Sequence, residues 1–268
     1  MTVRIATWNV NSVRLRLDAI AELVKQWNID VLCFQETKVI NDAFPIKAFR
    51  RLGFDHCALN GQKSYNGVAI LSRRAFERRA EPAWCGKRDC RHLWVTLDVG
   101  IDVHNFYVPA GGDVPDPDLN DKFAHKLQFL EEMTDWFGKR RRRNPKSVLV
   151  GDLNIAPHEN DVWSHKQLLK VVSHTPVEVE ALTRLYRTRD WVDAVRHFVP
   201  HSEKLYSWWS YRSPRWQDSD RGRRLDHIWT TPALKPHLSR LEVLRDVRGW
   251  ERPSDHVPIV VELTLPKG

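Results

Sequence analysis

Hydrophobic positions change period along the chain, and each change marks an element. Residues 3–10, V-R-I-A-T-W-N-V, alternate with period two through Val3, Ile5 and Thr7, as a half-buried strand does. Leu17, Ile20, Ala21, Val24 and Trp27 then recur at helical spacing. The short apolar run 31–34 predicts a buried strand ending at Gln35-Glu36, and 67–71 predicts another. Residues 93–99 and 101–108 read as a hairpin joined near Gly100. Phe123, Leu127, Leu130 and Phe137 share one helical face, and a strand at 148–150 runs into Gly151-Asp152-Leu153-Asn154. Thr175-Pro176-Val177-Glu178 has the spacing of a capping box with proline at the first helical position, so a helix starts there. The C-terminal third returns to strand-like pieces at 206–211, 224–230, 241–247 and 257–265. There is no repeat, low-complexity tract or Gly/Ser/Pro-rich linker, and a single domain over 1–268 is the expectation.

Composition narrows the class. The 268 residues carry 42 Lys+Arg against 34 Asp+Glu, a formal charge of +8, which favours a polyanionic partner: nucleic acid, an acidic membrane surface or a phosphorylated small molecule. A hydrophobic content of 42% excludes a disordered chain. Apolar stretches such as 257–261 are far too short to span a bilayer, and the N-terminus shows no apolar h-region, so a cytoplasmic protein without membrane contact is expected. Cys33, Cys57, Cys85 and Cys90 form no C-x-x-C pair and read as reduced thiols. The basic run 139–143 ends a predicted helix, where cations complement the dipole and stay solvated.

Candidate chemistry gathers at the ends of the predicted strands. Asn9 and Asn11 follow the first, Gln35 and Glu36 the next, and Tyr107 closes the hairpin. Asp152 and Asn154 follow 148–150, Asp226 lies within R-L-D-H-I-W, and Asp255-His256 precedes the last strand. Strand ends are where α/β proteins build ligand sites. Taken singly, an Asn or Asp there is a turn former; Glu36 is not, and the coincidences accumulate. Hard carboxylate and amide oxygens suit magnesium or manganese rather than zinc. H-E-x-x-H, G-x-x-x-x-G-K-[ST] and G-x-S-x-G are absent, which argues against a zincin, a P-loop NTPase and an α/β-hydrolase. A hard metal, a carboxylate base and a histidine donor together suit phosphodiester hydrolysis.

The motifs T-W-N-V-N-S-V-R (7–14), F-Q-E-T-K (34–38), N-G-V-A-I-L (66–71), F-Y-V-P-A-G-G (106–112), G-D-L-N-I-A-P (151–157), R-L-D-H-I-W (224–229) and S-D-H-V-P-I (254–259) occur in the order of the exonuclease III family, which the chain resembles from residue 3 to about 265. These are bacterial apurinic/apyrimidinic (AP) endonucleases of the DNase I-like superfamily. The resemblance implies an α/β fold, a four-layer α/β sandwich of two packed mixed β-sheets flanked by helices. It implies a Mg²⁺-dependent DNA-repair nuclease, with Mn²⁺ as the alternative ion. Such an enzyme cleaves 5′ to abasic sites and acts on 3′ ends of duplex DNA as a 3′→5′ exonuclease and 3′-phosphodiesterase. By match, Glu36 is the principal metal ligand with Asn9 and Asp255 beside it, and Asp152, Asn154 and His256 complete the metal-facing set. Asp152 orients or deprotonates the attacking water, and Asn154 helps hold that water and the phosphate. Tyr107 reaches the scissile phosphate, and His256 donates to a non-bridging oxygen. Asp226 fixes the His256 ring, in agreement with the physics of a carboxylate–imidazole pair. Asn11 stands where some relatives carry aspartate and is assigned to DNA contact, as is Lys122. A monomer is the family expectation.

Trp8 and Trp229 lie within strand patterns and read as core. Trp208, Trp209 and Trp216 lie among Tyr206, Tyr211, Arg212, Arg215, Arg221, Arg223 and Arg224, a mixture that suits stacking on bases or sugars while neutralising phosphates. One of Trp208 and Trp209 matches an aromatic of the abasic-sugar pocket. Strand alternation sends the other inward, so Trp208 is assigned to DNA, with Arg212 and Arg215. Two other classes stay open: a superfamily relative acting on a small phosphoester or lipid headgroup, and a catalytically silent DNA-binding protein.

Overall fold

Strands β1 (Thr2–Asn9), β2 (Val31–Gln35), β3 (His56–Asn60), β4 (Val68–Ser72), β11 (Leu238–Val243) and β12 (Ile259–Thr264) form a six-stranded mixed sheet in the order β11-β12-β1-β2-β4-β3. The remaining strands form the second: β5 (Phe76–Arg78), β6 (His92–Leu97), β7 (Asp102–Tyr107), β8 (Ser147–Asp152), β9 (Val192–Asp193) and β10 (Asp226–Thr230). Their order is β5-β6-β7-β8-β10-β9. The computed structural model describes residues 1–140, 144–213 and 215–266; of the basic run 139–143, Arg141, Arg142 and Arg143 lie outside them.

The helices are α1 (Leu17–Trp27), α2 (Ile46–Arg51), α3 (Asp121–Gly138), α4 (His165–Leu168), α5 (Pro176–Arg187), α6 (Ala194–Phe198) and α7 (Trp216–Ser219). Val3, Ile5, Val31, Cys33 and Ile70 of one sheet share a core with Val95, Val103, Val148, Val150 and Ile228 of the other. The alternate residues of the first sheet, among them Ala6, Trp8, Leu32 and Phe34, bury against Ile20, Leu23 and Val24 of α1 and Phe49 of α2. On the far side Phe106, Leu149 and Trp229 bury against Phe129, Leu130, Met133 and Phe137 of α3 and Leu182 and Leu185 of α5. The result is the expected order of layers: helix, sheet, sheet, helix.

That layering explains why β1 is buried on both faces rather than half-buried: helices cover the face its alternation assigned to solvent. The capping box of α5 is present, with the Thr175 and Glu178 side chains exchanging bonds with backbone amides. The prediction fails at 206–211, which is no strand. Trp208 makes only isolated bridges, to Arg223 and His256, because its neighbours Tyr206 and Trp209 are buried among side chains. The strand placed at 241–247 is β11, displaced toward the N-terminus, and residues 245–249 form a 3-10 turn. The short β3, β5 and α2 carried no periodic signal. The four cysteines are free thiols, and no described helix is long and apolar enough to cross a membrane.

Candidate active site

Each sheet has a parallel pair at its centre, β1–β2 and β7–β8, whose C-terminal ends deliver Asn9, Gln35, Tyr107 and Asp152. β10 runs antiparallel to β8, so its first residue, Asp226, lies opposite Asp152. β12 runs antiparallel to β1, so Asp255 and His256, which precede it, arrive at the same edge. Side chains far apart in sequence thus converge from both sheets.

The backbone bends sharply at this edge. Asn11, Glu36 and Asn154 have φ of 42°, 50° and 54°, in the left-handed region. Asn tolerates that region, but a glutamate there stores strain of about 1–3 kcal/mol. The turn is held by Ser12 N–H donating to the Glu36 carbonyl at 2.8 Å. Gly151 has φ 141°, and a Cβ on it would lie 1.9 Å from the Phe106 carbonyl oxygen, so only glycine lets β7 and β8 approach beside Tyr107 and Asp152.

The site residues are joined by hydrogen bonds. Asn9 Nδ2 donates to Glu36 Oε1 and to Asp152 Oδ2, both at 2.9 Å. The Tyr107 hydroxyl donates to Glu36 Oε1 at 2.9 Å, and Lys38 Nζ lies 2.8 Å from Glu36 Oε2. Lys38 also donates to Asn11 Oδ1, and Asn11 Nδ2 donates to Asp255 Oδ1 at 3.0 Å. Trp208 Nε1 donates to Asp255 Oδ2 at 3.0 Å. Across the edge, His256 Nδ1 bonds Asp226 Oδ2 at 2.8 Å, while His256 Nε2 faces Asp152 Oδ2 at 3.6 Å. Ser207 Oγ donates to Asp226 Oδ2 at 2.6 Å. Asn154 N–H donates to Asp152 Oδ1, and Asn154 Nδ2 is used by the Val108 carbonyl.

Burial sets the charge states. Burial pushes the Asp152 carboxyl up to about 7, and the neighbouring Asp226 and Glu36 charges add to the rise while His256 and Asn9 oppose it. Burial alone would lower His256, but Asp226, Asp152 and Asp255 hold its ring protonated and raise it to about 10. Burial would likewise raise Glu36; Lys38, Asn9 and His256 outweigh it and keep the carboxyl below its usual range. The Tyr107 hydroxyl is held well above its ordinary value by burial and by Glu36 and Asp152, so it is a neutral donor.

Asp152, Asp226 and His256 place ligand-capable atoms within 4.8 Å of one another. The His256 Nδ1 is already engaged by Asp226 at 2.8 Å, and as an imidazolium the ring would offer no lone pair to a metal. The oxygen-rich set of Glu36, Asp152 and Asp255, linked through Asn9 and Asn11, suits a hard divalent cation.

Of the other expected residues, Trp208 is half-buried beside this set and Trp209 is buried, although no strand alternation separates them. Arg212 and Arg215 are exposed and line a groove of about 710 Å³ with Trp208. Lys122 is exposed at the start of α3, and its stem lies against Gly112. Gln35 points between the sheets, donating to Asn105 Oδ1 at 2.7 Å and Thr7 Oγ1 at 3.0 Å, and is structural. Arg224 is also structural: it is fully buried on Asp161 and Asp193. Sequence reasoning gave no role to Lys38, although it stands inside the F-Q-E-T-K motif, or to Ser207. It also missed Lys126, a fully buried ammonium that donates to the Asn154 and Ala110 carbonyls and pairs with Glu178.

The profile of the endonuclease/exonuclease/phosphatase family matches residues 6–256. The chain is 29% identical over 271 residues to exodeoxyribonuclease III of Haemophilus influenzae, covering 97% of this chain and 99% of that one. Among solved structures, it is similar to an AP endonuclease from Archaeoglobus fulgidus, with a TM-score of 0.90 and 33% identity over 98% of this chain and all of that one. The same values relate it to the 3′ phosphatase NExo from Neisseria, solved bound to a product DNA hairpin.

Proposed function

This chain belongs to the endonuclease/exonuclease/phosphatase family and, within it, to the exonuclease III and AP endonuclease branch, and we propose that it is a Mg²⁺-dependent DNA-repair nuclease. It is a phosphodiester hydrolase. In this reading its substrate is duplex DNA, cut 5′ to abasic sites and trimmed from 3′ ends. It acts as a monomer, with residues 1–268 as one domain. The observation that carries the reading is the convergence of an oxygen-rich carboxylate set and a carboxylate-paired histidine at one edge of both sheets.

Glu36, with Asn9 and Asp255 beside it, would hold the cation, with Asp152 and Asn154 completing the set. The cation would supply positive charge for the phosphate oxygens. The chain's own groups do the rest. Asp152, whose pKa is raised to about 7, is poised to take the proton of the attacking water as the water oxygen bonds to phosphorus. His256 is held as imidazolium by Asp226 and donates to a non-bridging oxygen, where negative charge grows in the transition state. The Tyr107 hydroxyl, released from Glu36, donates to the same phosphate. The bond to the 3′ oxygen breaks, and that oxygen takes a proton from solvent water to leave as a 3′ hydroxyl. Cleavage at a base-less nucleotide is favoured because no base has to be unstacked to bring the sugar out of the helix.

The test is a duplex oligonucleotide carrying one abasic analogue, beside the undamaged duplex, with Mg²⁺ or EDTA. Mg²⁺-dependent products, either incision at the abasic position or shortening from the 3′ end, are the expected result. No cleavage of either duplex contradicts the reading and favours a small phosphoester substrate.

A further inference from the structure

Beyond the cation set, the Trp208 side of the site opens into the groove of about 710 Å³. Its walls include two indoles, Trp163 and Trp208, and four guanidinium groups, Arg212, Arg215, Arg221 and Arg223, with serines and the Asp218 carboxylate between them. Arg221 Cζ lies 4.7 Å from the Trp163 ring centroid, and Arg223 Cζ lies 5.4 Å from that of Trp208.

Arg223 is built into the wall. Its backbone bridges Trp208, with N–H donating to the Trp208 carbonyl at 3.0 Å and its own carbonyl accepting from Trp208 N–H at 2.9 Å. Its Nη1 donates to the Val172 carbonyl at 3.0 Å and to Ser173 Oγ at 2.8 Å, tying the opposite loop to the same wall. Its Nε is buried without a partner. Trp208 in turn donates to Asp255, so the wall ends on the cation set.

This wall is not restricted to a base-less sugar. A pocket selective for such a sugar excludes intact bases by size and receives the ring on apolar walls. Here the volume falls within the range of whole small-molecule sites. The Trp208 indole, the expected wall for the sugar, lies beneath a cation. A nucleotide that keeps its base offers a π-face to indole and guanidinium planes.

Resting on the nuclease reading above, we propose that this groove is a subsite for an intact 3′-terminal nucleotide and that Arg223 is its specificity-determining residue, favouring removal of terminal nucleotides over incision at abasic sites.

The test compares kcat/KM of the full chain on two duplexes with Mg²⁺, one with a blunt 3′-hydroxyl end and one with a single internal abasic analogue. The variants are Arg223→Ala, Arg223→Lys and Arg221→Ala. The ratio of terminal removal to abasic incision is expected to fall about tenfold in Arg223→Ala, the loss of one stacked contact. Arg223→Lys, which keeps the charge and loses the plane, recovers only part of it. Arg221 is exposed, so Arg221→Ala carries the test in the same direction if Arg223→Ala does not melt like the wild type. A ratio unchanged in both alanine variants overturns the inference. A wild type inert on both duplexes overturns the nuclease reading and this inference with it. A wild type that cuts both, with unmoved ratios in the variants, overturns this inference alone.

Discussion

At the scale of single residues, Asp226 decides the state of His256. Its Oδ2 bonds the ring at 2.8 Å, and its charge is the largest of the influences that raise His256 to about 10 against the lowering effect of burial. A group raised in this way works as an acid until the pH climbs through its pKa. Removing the Asp226 charge lowers that pKa, so the alkaline limb of activity moves toward neutrality. Asp226→Asn is therefore expected to reduce kcat/KM by about 10²–10⁴-fold near neutral pH, with the fall at high pH beginning earlier than in the wild type. A pH–rate profile checks this; a variant with a wild-type alkaline limb contradicts the assignment of His256. The residue types made Asn9, Glu36, Asp152, Asp255 and His256 legible in the sequence, because hard oxygens at strand ends have a restricted chemistry. Lys38 and Ser207 were not legible, since each acts through one contact, with Glu36 and Asp226 respectively, that only folding makes.

At the scale of elements, the entry to β10 is anchored by charge rather than by strand propensity. Asp161 is fully buried between Arg224, which leads into β10, and Arg196 of α6, with Arg224 Nη2 at 2.9 Å from its Oδ2. Burial opposes the Asp161 charge, but Arg224 and Arg196 hold the carboxyl well below its usual range. Its contribution is complete above the unfolded pKa of about 3.9 and is lost as the pH falls from there through the lower folded value. Asp161→Asn leaves two buried guanidinium groups short of a counter-charge and is expected to cost about 3–5 kcal/mol at pH 7. The gap in stability between the two proteins narrows below about pH 4. Denaturant unfolding at pH 7 and pH 3 measures both; equal stability at pH 7, or a gap that widens in acid, contradicts the account. This cluster was hidden in the sequence because Arg224 sits among surface arginines that do line the groove. The segment 206–211 misled for a related reason: its aromatic residues look strand-like, but Tyr206 and Trp209 serve a side-chain cluster with Trp216 and Val257 rather than a sheet.

At the scale of the molecule, the two sheets repeat one plan, a central parallel pair with an antiparallel strand beside it. Glu36, Asn9, Asp255 and His256 come from the β1–β2–β12 side, while Tyr107, Asp152 and Asp226 come from β7, β8 and β10. The site exists only where the sheets face each other. Alternating periodicities announced strands and helices, but the partition of the twelve described strands into two sheets rests on pairings such as β1 with β12, which no local pattern carries. The ordered motifs supplied the sandwich by resemblance, and the structure bears it out. The central claim is that this shared edge hydrolyses DNA around a cation held by Glu36, and the most direct measurement is the single-turnover incision rate of Glu36→Ala beside the wild type on an abasic duplex with Mg²⁺. The account predicts a loss of orders of magnitude with a melting curve that still shows one native-like transition; a folded Glu36→Ala protein cutting at the wild-type rate would contradict it.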